Sequence, residues 1–394
     1  MKTCRTLVQH ARGMAAVRCL ITFMVLLYSG HSIARPSAGV DCPSAYRTYS
    51  SNTVLMDLLI NPETHRLLDK SLPGLLAGLP DLVTSPTPPS FSAIFDVPTV
   101  ARFKKMPLSA TTLAKLDSDL SSVPLTDDAA LARCARYDEG ASQLPNHVNK
   151  PSVLVFSKVN GYRDDNALNA AATALRQIGA ARGWTLVFTE NGAAMNSADL
   201  AHFSAVVWNN VSGDVLTMTQ RKALRAYIEG GGGFAAFHGS GGDPRYDWDW
   251  YADTLIGARF VGHPRSFQSA SVIVDDPNAW VSQGLPPQWT MTEEWYSFKV
   301  SPRSSGAHIL ARLDENTYDA ANGDENLHMG DHAIAWTRCI GNGRSFYSAI
   351  GHRPESYNEP HARLLLERGI AWAAGEAPTG CLNGAETANP AERK

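Results

Sequence analysis

"LTMTQRKALRAYIEGGGGFAAFHGSGGD", Leu216 to Asp243, holds a helix, a strand and an open turn in one run. Thr217 and Gln220 have the spacing of a capping box, which predicts a helix start. Gly230 predicts its stop, and "GFAAFH" reads as a short buried strand. Glycines then flank His238 on both sides. Glycine lacks Cβ, so it adopts positive φ or lets a second backbone or a ligand come close. The run therefore reads as strand, tight turn and pocket, with His238 presented to the pocket.

The chain on either side repeats the unit. Upstream lie a strand, "SVLVFSK", a helix, "DNALNAAATALRQIGAARG", and the strands "WTLVFTE" and "AVVWNN". Leu168, Leu175 and Ile178 face inward on that helix, and Gly183 ends it. Strands alternating with helices of this length predict an α/β fold, a mostly parallel sheet with helices on both faces. Downstream, "SASVIVDD", "EEWYSF" and "HILARLD" read as strands. "AIAWTRCIGNGRSFYSAIGH" reads as a hairpin around Gly341 to Gly343. "EPHARLLLERGIAWAAG" is a closing helix ending at Gly375. Ahead of the sheet, residues 41–149 read as a small α-helical region. Asn52 is its first candidate N-cap, Pro62 takes a first-turn position, "SPTPPS" is a loop, and Leu113, Leu116 and Leu120 have helical spacing. No catalytic constellation is visible there, so its expected role is packing or docking.

The chain has 394 residues, 44% hydrophobic and 19% charged, with net charge -3. This suits one large core plus a smaller unit, and no basic field argues for nucleic acid. Lys2, Arg5, Arg12 and Arg18 precede the apolar run "CLITFMVLLYSG", and Ser32 and Ala34 follow it. That is the layout of a secretory signal over 1–34, too short for a comfortable membrane span. Export to the periplasm or the exterior is expected, with no integral span after cleavage. Four cysteines remain beyond the signal. Cys42–Cys134 and Cys339–Cys381 are the favoured disulfides, because each closes a loop within one expected domain.

Sites in open α/β sheets form beyond the C-terminal ends of strands. Tyr162, Arg163 and Asp164 follow the first strand, Asn209 and Asn210 the third, and His238 and Asp243 the fourth. His263, Glu293, Glu294, Tyr296, Asp331, His332, His352, Glu355 and Tyr357 come later in the chain. They are acid/base and metal-ligand types gathered where a pocket is expected. "HMGDH" sets His328 and His332 at i,i+4, but its glycine and the strand after it argue against a metalloprotease helix.

From about Ser152 to Gly375 the chain resembles the ThuA-like (trehalose utilisation) family. "VLVFSKVNGYR", "AAFHGSGGD", "WDWYADTLIGARFVGHP", "EEWYSFKVSPR" and "SAIGHRPESY" are among the matching stretches. The resemblance implies a flavodoxin-like, class I glutamine amidotransferase-like fold over 151–376, followed by a tail over 377–394. Such amidotransferases place a nucleophilic Cys at the elbow. Here His238 stands there, which excludes thiol chemistry. Asp164 departs from the family, which often carries His after G-[FY]-R.

The resemblance further implies a small carbohydrate as the partner, an oxidised (3-keto) glycoside such as keto-trehalose. A ketone at C3 acidifies the C2 hydrogen, so a base can drive β-elimination of the glycosidic group, and water then adds back. Imidazole suits the base, which assigns His238 that role, with Glu294 or Tyr296 as the acid and Asp243 beside them. One divalent metal ion is placed among His238, Glu294 and His352, with His263 as a further ligand. Tyr162, Arg163, Asp164, Asn209, Asn210, Trp250, Tyr251 and Tyr357 are the expected substrate contacts, the larger aromatics forming either a stacking wall or core. The competing expectation is a non-catalytic carbohydrate-binding or scaffold protein on the same fold. A homo-oligomer is left open.

Overall fold

The computed structural model describes residues 41–43, 48–323 and 325–388. The expected secretory segment 1–34 lies outside the described residues. No described helix is long and apolar enough to cross a membrane.

Parallel strands covered on both faces must be apolar throughout. The three runs "SVLVF", "AVVWN" and "GFAAF" obey this and are buried along their whole length. They are Ser152–Phe156 (β1), Ala205–Asn209 (β3) and Gly233–Phe237 (β4), with Thr185–Thr189 (β2) between the first two in sequence. Gln268–Val274 (β5), Gln288–Glu293 (β6), His308–Leu313 (β7), Ala333–Ile340 (β8) and Gly343–Ser348 (β9) complete a nine-stranded sheet. Its order is β2-β1-β3-β4-β9-β8-β7-β5-β6. The strands β2, β1, β3, β4 and β9 pair in parallel, the arrangement of a flavodoxin-like sheet. From β9 outward the pairing is antiparallel.

Helix Asp165–Arg182 buries Leu168, Leu175 and Ile178 and stops at left-handed Gly183. Helix Met218–Glu229 starts on the capping box of Thr217 and Gln220. Helix Pro360–Ala373 packs so closely on β4 that a Cβ at Gly233 would strike the Ala373 carbonyl.

Two local expectations change. The first helix is Leu55–Ile60, behind Val54 and without a side-chain cap, so Asn52 is not its N-cap. Asn61 instead caps helix Pro62–Ser71, accepting from the amides of Glu63 and Thr64. "EEWYSF" is not one strand. β6 ends at Glu293, and Ser297–Phe298 pairs with Phe260–Gly262 in a separate small sheet. The break lifts Glu294 and Tyr296 off the main sheet.

Cys42–Cys134 and Cys339–Cys381 are both bonded. The helical region has its own apolar cluster, including Leu55, Leu58, Leu68, Val100, Leu116 and Leu120. It nevertheless belongs to one compact unit with the sheet. Tyr137 donates to Asp214 Oδ2 at 2.8 Å across the junction.

Candidate active site at the end of the fourth strand

β4 ends at Phe237 and the chain turns sharply through His238–Gly241. His238 has φ 35°, in the left-handed region that a side chain rarely adopts. Its neighbours hold it there. The Gly239 amide donates to Asn210 Oδ1 at 3.1 Å, Ser240 Oγ donates to the Trp208 carbonyl at 3.1 Å, and Tyr347 donates to the His238 carbonyl at 2.9 Å. The glycines that follow are there for space. A Cβ at Gly241 would meet the Tyr347 ring, and one at Gly242 the Tyr296 ring, each at 2.5 Å.

The His238 ring is buried, and its Nδ1 lies 2.8 Å from the Ala349 carbonyl. A carbonyl only accepts, so the N–H is on Nδ1 and the Nε2 lone pair points away from it. That Nε2 lies 3.4 Å from Glu294 Oε2. His352 Nδ1 donates to the same oxygen at 2.8 Å, and His263 Nδ1 lies 3.1 Å from Oε1. Three imidazoles from distant parts of the chain thus surround one carboxylate. Burial alone would raise Glu294, but the imidazoles of His238 and His352 beside it hold it well below the usual carboxylate range. Burial alone would lower His352, and the Glu294 carboxylate more than offsets it, raising His352 above its ordinary value. Glu294 is therefore an anion, which removes it as the resting acid and leaves it as a charge partner or ligand.

Tyr296 stacks on His238 with ring centroids 4.1 Å apart. Burial, with the Glu294 charge beside it, keeps its phenol protonated far above the ordinary tyrosine range. Its carbonyl is held by His332 Nε2 at 2.9 Å, and the other nitrogen of His332 bonds Glu315 at 2.8 Å. The "HMGDH" histidines thus serve Glu315 and the backbone of Tyr296. Among the described residues, His238, Glu294 and His352 are the group whose ligand atoms all lie within 4.8 Å of one another.

The structure sorts the other expected residues. Asp164 caps helix Asp165–Arg182 through the Asn166 and Ala167 amides, and its Oδ2 lies 3.4 Å from His352 Nε2. Tyr162 sits beside the cluster, its ring 6.1 Å from that of His352. Asn210 bonds Tyr357, which donates to the Gly351 carbonyl at 2.8 Å, so both shape the turn rather than line its opening. Asn209 bonds the Leu168 carbonyl. Arg163 points elsewhere, to Glu190 and Asp165. Trp250 and Tyr251 are not brought to the cluster: Tyr251 is buried against Trp208 at 4.8 Å, and Trp250 lies under Arg225. Large aromatics in a half-buried helix pack inward first. Asp243 is also apart. Its carboxyl accepts from Ser212 Oγ and the Gly213 amide, each at 2.6 Å, and burial pushes it up to about 7 despite those bonds.

Glu293, grouped with Glu294 by the sequence but given no role there, proves to organise the site. It is fully buried and accepts from the amides of Glu294, Gly351 and Arg353 and from Ser356 Oγ. One carboxylate thereby fixes both Glu294 and the His352 loop. The signal was present: in β6 the buried positions alternate as Trp289, Met291 and Glu293. Glu293→Gln puts an amide donor against the Gly351 amide. It is expected to lower unfolding free energy by about 2 kcal/mol, since bonds to a charged group contribute ~1.5–3 kcal/mol. Urea unfolding measures this, and a variant as stable as the parent refutes it.

A family model described as ThuA, trehalose utilisation, matches residues 152–373. A thua-like protein from Bacteroides uniformis is similar in structure, with TM-score 0.50 and 22% identity over 60% of this chain and 94% of its own. Another, from Parabacteroides merdae, has TM-score 0.43 and 16% identity over 58% of this chain and 91% of its own. A comparison with curated proteins returns no match.

Proposed function

The chain belongs to the ThuA family of trehalose utilisation, and from that premise we propose that it processes carbohydrate, acting on 3-keto glycosides by elimination and hydration. One observation carries the reading: His238 is locked on a strained elbow with its free Nε2 facing a carboxylate ringed by imidazoles.

In this reading His238 Nε2 takes the C2 proton of the keto sugar. The C2–H pair becomes the C1–C2 double bond as the C1–O bond breaks, and the departing oxygen takes a proton. Tyr296, stacked on His238 and held protonated, supplies that proton. Water then adds across the double bond: its hydroxyl goes to C1 and its proton to Tyr296, while His238 returns a proton to C2, which gives the free 3-keto sugar and restores both groups. Glu294 holds the imidazoles in register throughout. A divalent ion fits beside that base: the Glu294 carboxylate has His352 Nδ1 2.8 Å from one oxygen and His263 Nδ1 3.1 Å from the other. An ion bound by Glu294, His352 and His263 would polarise the C3 ketone and stabilise the enolate while leaving the His238 Nε2 lone pair free as the base. The same reading places the protein in the periplasm or outside the cell, supported by the signal-like segment and by two disulfides.

The test is product release. The chain from Arg35 onward is incubated with 3-keto-trehalose, with and without a chelator, and free 3-keto-glucose is followed by mass spectrometry. Release is expected, and it should fall in the chelator lane and return with added metal. A folded sample that binds trehalose and releases nothing would instead be a carbohydrate-binding module.

A further inference from the structure

The helical region lies ahead of the segment that the family model matches, which begins at Ser152. Its contact with the site is nonetheless direct. The Ser90 amide donates to the Asn160 carbonyl at 3.0 Å, and Ile94 packs against Gly161, where a Cβ would meet its side chain at 2.8 Å. These contacts seat the turn Phe91–Ala93 over the end of β1. Phe91 then stacks on Tyr162, centroids 5.0 Å apart and planes 15° from parallel, and Phe95 stacks behind Phe91 at 5.0 Å. Phe91 and Phe95 thus stack in a row against the Tyr162 ring.

Tyr162 is half-buried, and its hydroxyl makes no hydrogen bond among the described residues, although its backbone amide is bonded to Ser212. A braced phenol with a free hydroxyl beside a cluster of imidazoles is arranged to meet a ligand. On another side of His352 stands Phe267, edge-on with centroids 5.1 Å apart and 47% exposed. Tyr162 and Phe267 therefore flank His352, one layer outward from the base His238, whose ring is 5.0 Å from His352. A sugar ring reacting at His238 leaves its glycosidic partner at this outer layer.

We propose that the helical region completes the substrate site: Phe91 positions Tyr162, and Tyr162 and Phe267 together bind the leaving ring of a two-ring glycoside. The polar edge of that ring meets the Tyr162 hydroxyl and its apolar face meets the phenyl ring. The inference rests on the proposed reaction and adds which glycosides the site prefers. Phe91 is a positioning residue here, and Tyr162 and Phe267 are the contacts.

The test compares 3-keto-trehalose with methyl 3-keto-α-glucoside, which lacks the second ring. Phe91→Ala is expected to raise the ratio of KM for the disaccharide to KM for the methyl glycoside by about threefold to tenfold, the scale of one aromatic contact. Phe91→Leu, which keeps apolar bulk and safeguards folding, should give a smaller rise, and Phe91→Tyr should restore the parent ratio. A loosened fold would move both KM values together and leave the ratio alone. An unchanged ratio in Phe91→Ala and Phe267→Ala overturns the inference while leaving the reaction standing. If the parent protein turns over neither compound, the reaction is what has failed. Calorimetry with unoxidised trehalose then decides the wall by itself, and equal Kd for parent and Phe91→Ala overturns it.

Discussion

His238→Asn loses turnover of 3-keto-trehalose by roughly 10²- to 10⁴-fold, the range a positioned base supplies, and keeps its fold. Asparagine is the informative replacement because the elbow has φ 35°, and asparagine tolerates the left-handed region better than most side chains. His238→Ala removes the base equally well, but it also leaves the buried Ala349 carbonyl without the donor now 2.8 Å away. It should therefore lose about 1–2 kcal/mol of stability in addition to activity. Turnover and thermal unfolding measured on both variants separate the two effects. If His238→Asn is folded and works within threefold of the parent, the base has been assigned to the wrong residue.

Asp243→Asn should remove a pH dependence of stability. The folded-state carboxyl titrates at about 7 against an ordinary 3.8, because burial outweighs the bonds from Ser212 and Gly213. Between those values the folded chain keeps a proton that the unfolded chain has released, so stability falls as pH rises through this window and is level above it. About three pH units at 1.36 kcal/mol each amount to a loss of about 4 kcal/mol, good to order of magnitude. Asparagine reproduces the protonated acid, with its oxygen accepting from Gly213 and its amide donating to Ser212 Oγ. Other groups titrate too: Glu294 and Glu315 are depressed and lose their contributions as pH falls, and His352 is raised and loses its contribution as pH rises. The difference between variant and parent cancels them. Urea unfolding of both proteins should show that difference growing in favour of the variant by about 3 kcal/mol from about pH 4.5 to 8. A difference that stays flat across the range means Asp243 is ionised in the fold and its bonds, not its burial, dominate.

Much of the fold was legible because it is written locally. Capping box, glycine stop and apolar strand all lie within Thr217 to Phe237, and each acts over a few residues. The elbow was legible for the same reason, since the glycines around His238 are sequence neighbours. Glu293 was harder. Its alternation marks it as buried, but a buried carboxylate makes sense only once Gly351, Arg353 and Ser356 are seen converging on it.

The sequence by itself determined most of the strands and helices and the tight turn at His238, because propensity, capping and glycine geometry act between near neighbours. Only the tertiary structure decided the site's composition. His238, His263, Glu294 and His352 are spread over more than a hundred residues and meet because parallel and antiparallel strands end at one place. It also buried Tyr251 in the core, left Trp250 partly buried under Arg225, and set Phe91 against Tyr162. Whether an aromatic ring faces a ligand or a neighbour depends on what packs over it, and the residues that do so here come from distant parts of the chain.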